Sequence, residues 1–243
     1  MTKFSPTRGM VLAAGLGTRM RPLTDDRPKA LVEVAGRTLL DHAIDRFVAA
    51  GVKMIVVNVH YKGEMIIAHL KHRKDVEIRI QDERDKLLDT GGALKRALPQ
   101  FGNEPVFTYN SDSIWLESLG SNLDRMAAMW DDAAMDCLML MAPTFSSIGL
   151  EGKGDFTMDS NGRLKRREAQ RVAPFAWPGV QIIHPRLIAR GPDGPFSTNR
   201  LWDMAIAQER LFGIRLDGKW MHIGTPEAKA EADAFMAVRH HAP

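Results

Sequence analysis

Residues 54–59, Met-Ile-Val-Val-Asn-Val, form a nearly continuous apolar run of strand length. Such a run suits a strand covered on both faces, because a half-exposed strand alternates apolar and polar residues. The first half of the chain repeats the pattern: runs at 9–14, 54–59, 76–80 and 105–110 alternate with helical periodicity at 38–50, 63–71 and 91–98. Right-handed crossovers between parallel strands then place helices on both faces of a sheet. The expected fold is α/β, with a Rossmann-like, mostly parallel sheet whose ligands gather at the strand carboxyl ends.

The second half is less regular. A helix at 122–130 and a strand at 135–142 precede two short runs, 155–158 and 163–167, joined by Asp159-Ser-Asn-Gly162. The Asn-Gly step marks a hairpin turn. Apolar runs at 179–183 and 211–216, separated by a helix at 198–208, read as inserted β elements that build a second wall over the sheet. A final helix at 226–238 is expected to pack outside.

A chain of 243 residues holds one large domain or two small ones. Without a Pro/Gly/Ser linker, one domain over 1–243 is expected. Lys and Arg total 33 against 30 Asp and Glu, and an excess of +3 is too small for a nucleic-acid footprint. A single cysteine, Cys137, excludes an internal disulfide and a Cys-rich zinc site. No segment has the pattern of a signal peptide or a bilayer span. These features predict a soluble protein of the reducing cytoplasm that binds neither nucleic acid nor membrane; they leave the oligomeric state open.

The chemistry is concentrated after the first strand, in Ala13-Ala14-Gly15-Leu16-Gly17-Thr18-Arg19-Met20-Arg21-Pro22-Leu23-Thr24 followed by Pro28-Lys29. The glycines let the chain turn sharply and bring backbone N–H groups against phosphate oxygens, while Arg19, Arg21 and Lys29 add positive charge. A polyphosphate site follows. The dinucleotide fingerprint needs glycine where Met20 stands, and the P-loop needs a Gly-Lys-Ser/Thr step that is absent.

This stretch resembles the signature of the sugar-1-phosphate nucleotidyltransferases. The resemblance continues in order through Leu88-Asp-Thr-Gly-Gly92, Asn110-Ser-Asp112, Pro178-Gly179 and Gly224-Thr-Pro-Glu227, and so covers nearly the whole chain. Within the family, the short chain and the Trp220-x-x-x-Gly224-Thr225 ending are most similar to members that act on N-acetylmuramate 1-phosphate with UTP; those that use GTP and mannose 1-phosphate come next. The C-terminal left-handed β-helix of longer relatives is not expected here. The implied reaction is attack of a sugar 1-phosphate oxygen on the α-phosphorus of a nucleoside triphosphate, with pyrophosphate leaving. Its catalysis is positioning and charge neutralisation.

The resemblance also implies roles. Ala13, Ala14, Gly15, Gly17 and Thr18 cradle the triphosphate with Arg19, and Lys29 holds the α-phosphate. Asp89, Thr90, Gly91 and Asn110 complete the nucleotide site, the base being met by the first loop and the segment Gln81 to Asp89, with Gly91 and Gly92 letting it lie against the backbone. Gly154, Glu168 and Gly179 meet the sugar. Asp112, at a strand end, is the expected ligand for magnesium, or manganese in its place; Arg19, Lys29 and Asp112 form the catalytic set.

Three positions depart from the family pattern. His222 stands where relatives commonly carry a second metal-binding Asp, and it either ligates a metal better suited to nitrogen or hydrogen-bonds a phosphate or metal-bound water. Ala169-Gln170 replaces a Lys-Pro after Glu168, so Arg166 or Arg167 is a candidate substitute for the lost lysine. Lys86-Leu87-Leu88 replaces Glu-Pro-Leu before the Thr-Gly-Gly step. The last bears on the choice of nucleobase; the first two keep a nucleotide-sugar sensor as the alternative to an enzyme, and pyrophosphate release separates the two.

Overall fold

The computed structural model describes residues 4–240. Strand β1 (Arg8–Leu12) leads into the signature loop and a short ribbon, β2 (Glu33–Val34) and β3 (Arg37–Thr38), before helix α1 (Leu39–Ala49). There follow β4 (Met54–Val59), α2 (Gly63–Leu70), β5 (Glu77–Asp82), α3 (Asp89–Phe101), β6 (Val106–Asn110), β7 (Ser113–Glu117) and α4 (Asn122–Met129). The rest comprises β8 (Cys137–Pro143), β9 (Phe156–Met158), β10 (Leu164–Arg166), β11 (Phe175–Ala176), β12 (Val180–Ile183), α5 (Pro185–Ala189), α6 (Asn199–Ala207), β13 (Leu211–Arg215), β14 (Gly218–His222) and α7 (Pro226–His240).

The central sheet runs β5-β4-β1-β6-β12-β8, with β13 on the far edge of β8. Its pairings make β12 the one strand that opposes the rest, giving a mixed but mostly parallel sheet. Both faces are covered. Ile55, Val57 and Val59 of β4 pack into a cluster with Ile44 and Phe47 of α1, while Met54 and Val56 face Leu94, Ala97 and Phe101 of α3. That two-sided burial is why the strand sequence shows no alternation. Helix α1 starts at Thr38, whose hydroxyl accepts the Asp41 N–H at 3.0 Å, a cap that fixes the entry to the helix.

One expectation is corrected. The runs at 179–183 and 211–216 form no second wall: β12 and β13 join the central sheet, because each finds an open edge beside β6 or β8. The separate layer is instead the β7–β14 ribbon, over a third cluster that contains Met20, Ile114, Met221 and Ile223 and is closed by Ala232 of α7. The Asp159–Gly162 hairpin forms as expected between β9 and β10, and with β11 it extends the sheet past β8. Cys137 is buried in β8, and no helix among the described residues is long and apolar enough to cross a membrane.

At the amino end of β8, Asp136 is 4% exposed and accepts from Arg186 Nε at 2.6 Å, with Arg210 Nε at 3.0 Å. Burial opposes its ionisation, but the two guanidinium groups outweigh it and hold the pKa below the ordinary Asp value. The unfolded chain therefore takes up this proton first as pH falls, so the stabilisation is present above about pH 4 and is lost as pH drops through the lower folded value. Asp136→Asn should cost about 2–4 kcal/mol at pH 7, since it leaves two arginines without their carboxylate. Urea denaturation at pH 7 and pH 3 should show the gap to wild type shrinking in acid; a constant gap would contradict the assignment.

Candidate functional site

Two clefts, of about 440 and 220 Å³, adjoin at the carboxyl ends of β1, β4 and β6, and Arg19, Asn110, Asp112 and Gly224 line both. The larger is walled by the signature loop. Where β1 ends, the Ala13 N–H donates to Asn58 Oδ1 at 2.8 Å. Beyond it, among the described residues, the N–H groups of Gly15, Leu16 and Gly17 have no intramolecular acceptor. They are unspent donors in a loop facing the cleft. Gly17 is left-handed at φ +66° and opens a 3-10 turn over Thr18–Met20; a Cβ there would stand 3.1 Å from both Lys29 Cβ and Thr24 Cγ2. Met20, fully buried, anchors the turn, while Arg19 stays exposed over both clefts.

Lys29 begins a second 3-10 turn whose Ala30 is buried, and its Nζ lies 2.8 Å from Asp112 Oδ2. Asp112 sits in the tight turn from β6 to β7. The turn is held by Ser111 N–H to Leu12 O at 3.1 Å and by Ile223 N–H to Asp112 O at 2.8 Å. Burial works against the Asp112 charge, but Lys29 and then His222 overcome it and keep the pKa below the ordinary value. The β7–β14 pairing sets His222 opposite Ser113. Burial pushes its imidazole below the usual value, opposed by Asp112 and reinforced by Lys29 and Arg19, so the ring is neutral near pH 7.

Asn110 is held by its N–H to Gly179 O at 2.8 Å, and its buried Oδ1 has no hydrogen-bond partner. A carboxylate with one oxygen free of Lys29, an orphaned amide oxygen and a neutral imidazole are a donor set that fits a divalent cation sharing its remaining positions with phosphate and water. Among the described residues, no three His, Cys, Asp or Glu side chains form a metal-holding group by themselves.

The structure brings most of the expected residues together. Ala13, Ala14, Gly15, Gly17, Thr18, Arg19, Lys29, Asp89, Thr90, Asn110 and Asp112 line the larger cleft; Gly179, Trp220 and His222 line the smaller. Others lie elsewhere. Gly91 and Gly92 both donate their N–H groups to Phe196 O, at 2.8 and 3.0 Å, and a Cβ on Gly91 would stand 2.4 Å from the Phe196 ring. Their missing side chains make room for a neighbouring loop, not for a base. Gly154 packs against Ala173 O, and Glu168 is exposed and paired with Arg171, so neither lines a cleft.

Arg166 is committed to Asp203 and Asn199, and Arg167 to the Gly154, Glu168 and Arg171 carbonyls, which removes both as stand-ins for the family's lysine. Asn58 in the larger cleft and Glu151, Asp155 and Trp177 in the smaller line them without having been singled out by the motifs, while Glu83 and Leu87, from the segment 81–89 expected to meet the base, also line the larger. The position of Asn58, a polar residue interrupting the apolar run of β4 near its carboxyl end, was the available signal.

Comparison with known proteins bears on this geometry. The pattern of the family described as "Nucleotidyl transferase" matches residues 8–146. The N-acetylmuramate alpha-1-phosphate uridylyltransferase of Caulobacter vibrioides is 48% identical over 96% of this chain and 98% of its own. A mannose-1-phosphate guanyltransferase of Hypocrea jecorina is 29% identical over 90% of this chain and 61% of its own. Among solved structures, an apo UDP-glucose pyrophosphorylase shares the fold with a TM-score of 0.77 at 14% identity, over 96% of this chain and 99% of that one.

Gly179, at φ +82°, lines the smaller cleft, and a Cβ there would stand 2.7 Å from the Cβ of Asn110, which lines both. Gly179→Ala should therefore displace Asn110 and lower kcat/KM for any substrate pair by about ten-fold or more, the cost of misplacing a positioning group. Steady-state kinetics with a parallel melting curve checks it, and full activity would show that Asn110 has no part in the site.

Proposed function

Because the chain belongs to the nucleotidyl transferase family, whose pattern spans more than half of it, we propose that it joins UTP and N-acetylmuramate α-1-phosphate, releasing pyrophosphate and forming the UDP-sugar. The observation that carries the chemistry is the junction of the two clefts. A loop with unspent N–H donors and Arg19 faces one cleft, and the Lys29–Asp112 pair stands where that cleft meets the other. The choice of base and sugar is supported by 48% identity over 98% of the Caulobacter relative. On this reading the chain works in the cytoplasm as a single domain and activates a sugar recovered from the cell wall.

The triphosphate lies along residues 13–19, its β- and γ-phosphates toward Arg19 and its α-phosphate toward Lys29. The base lies toward Asp89 and Thr90, which border the same cleft. The sugar 1-phosphate enters the smaller cleft beside Gly179 and Trp220. An oxygen of the sugar phosphate forms a bond to the α-phosphorus as the bond to the bridging oxygen breaks, and pyrophosphate departs with that oxygen. No proton need be taken from the attacking phosphate, so the side chains supply position and positive charge. Asp112, with Asn110 Oδ1 and His222 as neighbouring donors, would hold a divalent cation, magnesium or manganese, which neutralises phosphate charge when bound. Lys29 is released from Asp112 as the substrates arrive and turns to the α-phosphate, a point contact that suits a compact ammonium.

Pyrophosphate release, measured for UTP, GTP, dTTP and CTP against N-acetylmuramate, glucose, glucosamine and mannose 1-phosphates with magnesium or manganese, should peak with UTP and N-acetylmuramate 1-phosphate. A peak elsewhere refutes that substrate pair and keeps the chemistry; silence throughout refutes nucleotidyl transfer in favour of a sensor. Lys29→Ala should lower kcat by about 100-fold or more with the circular dichroism spectrum unchanged, the loss typical for one preorganised charge at a transition state. A loss under about three-fold would remove Lys29 from the α-phosphate role.

A further inference from the structure

Behind the larger cleft lies a carboxyl group that the proposed chemistry does not use. Glu83 is 0% exposed. Its Oε1 accepts from Asn58 Nδ2 at 3.0 Å and from Gln81 Nε2 at 2.7 Å, and its Oε2 accepts the Leu88 N–H at 3.4 Å. All of these partners are neutral N–H donors. A carboxyl group withdrawn from water and compensated by amides alone is costly, and a position serving stability only would be better filled by an apolar side chain. The backbone of the residue is fixed as firmly: its N–H donates to Val59 O at 2.8 Å and its carbonyl accepts from His60 Nδ1 at 2.6 Å.

The partners of Glu83 lead to the two halves of the cleft. Leu88 leads directly into Asp89 and Thr90, the residues bordering the base end. Asn58, oriented by its bond to Glu83, presents Oδ1 to the Ala13 N–H at 2.8 Å, and Ala13 opens the loop that carries the free phosphate donors. A flipped Asn58 would set NH2 against that N–H, so Glu83 decides which way the amide faces.

We propose that Glu83 is a positioning residue that couples the base subsite to the triphosphate loop through Asn58, so that the two halves of the nucleotide are received in one register. The inference rests on the reading of this cleft as a nucleotide pocket. Glutamine at 83 keeps the shape but in either orientation sets an NH2 group against a donor: Leu88 N–H on one side, the Asn58 and Gln81 amides on the other.

Calorimetric titration of the full chain tests the coupling without turnover. Binding of UTP by wild type tests the nucleotide reading itself, and its absence overturns both. Glu83→Gln should weaken UTP by about ten-fold, the scale of a buried donor left facing a donor. It should also weaken inorganic tripolyphosphate, which has no base, by about three-fold or more, while N-acetylmuramate 1-phosphate binds unchanged. Asn58→Ala should reproduce the tripolyphosphate loss, and the double variant should lose no more than either single one. Unchanged tripolyphosphate affinity in Glu83→Gln would confine the residue to the base pocket and overturn the coupling. An equal loss for the sugar phosphate would mark general loosening and overturn it as well. If Glu83→Gln fails to fold, Asn58→Ala decides, and undiminished tripolyphosphate binding there overturns the proposal.

Discussion

The ion pair between Lys29 and Asp112, at 2.8 Å, is the interaction on which the site is organised. It joins two segments 83 residues apart, the signature region after β1 and the turn after β6, and both side chains are mostly shielded, at 12% and 27% exposure. Partly buried pairs of this kind add little net stability, since desolvation offsets attraction. What the pair provides is placement. Each side chain is held near the junction of the clefts by the other, and Lys29 favours the charged form of Asp112; on the proposed reading the cation serves phosphate and the carboxylate a metal.

The sheet sets where that pair can form. Strands β1, β4 and β6 are parallel neighbours, so their carboxyl ends put Ala13, Asn58 and Asn110 side by side at one rim. Antiparallel β12 then returns beside β6 and delivers Gly179 to Asn110, which is how the smaller cleft comes to share a wall with the larger. The β7–β14 ribbon brings His222 and Gly224 in from the far end of the chain. Segments around residues 13, 58, 110, 179 and 222 thus meet in the two adjoining clefts.

What was legible in the sequence is what local pattern encodes. Buried strands announced themselves by continuous apolar runs, and the signature loop by its glycines and basic residues; both stand in the structure where the pattern put them. Glycines with a second meaning were not legible. Gly91 and Gly179 both mark close approach, but what approaches Gly91 is Phe196, over 100 residues on, and nothing local distinguishes a neighbouring loop from a ligand. Glu168 and Gly154 were placed by motif position, and the loop carrying them turns away because Arg167 and Arg171 tie it to itself. Strands β7 and β14 were missed since they pair only with each other, outside the central sheet. Glu83 lay in the segment 81–89 expected to meet the base, but nothing local distinguished it from its charged neighbours, and its burial comes from the packing of β4 and β5.

On the proposed reading the two clefts let the reactants meet directly at the Lys29–Asp112 junction, with no side chain taking up the nucleotidyl group between them. The stereochemical course at the α-phosphorus tests this most directly, using UTP made chiral there by sulfur substitution and reading the configuration of the nucleotide-sugar product. Direct attack across the junction predicts inversion. Retention would require a second displacement through a group on the protein, and would contradict direct attack.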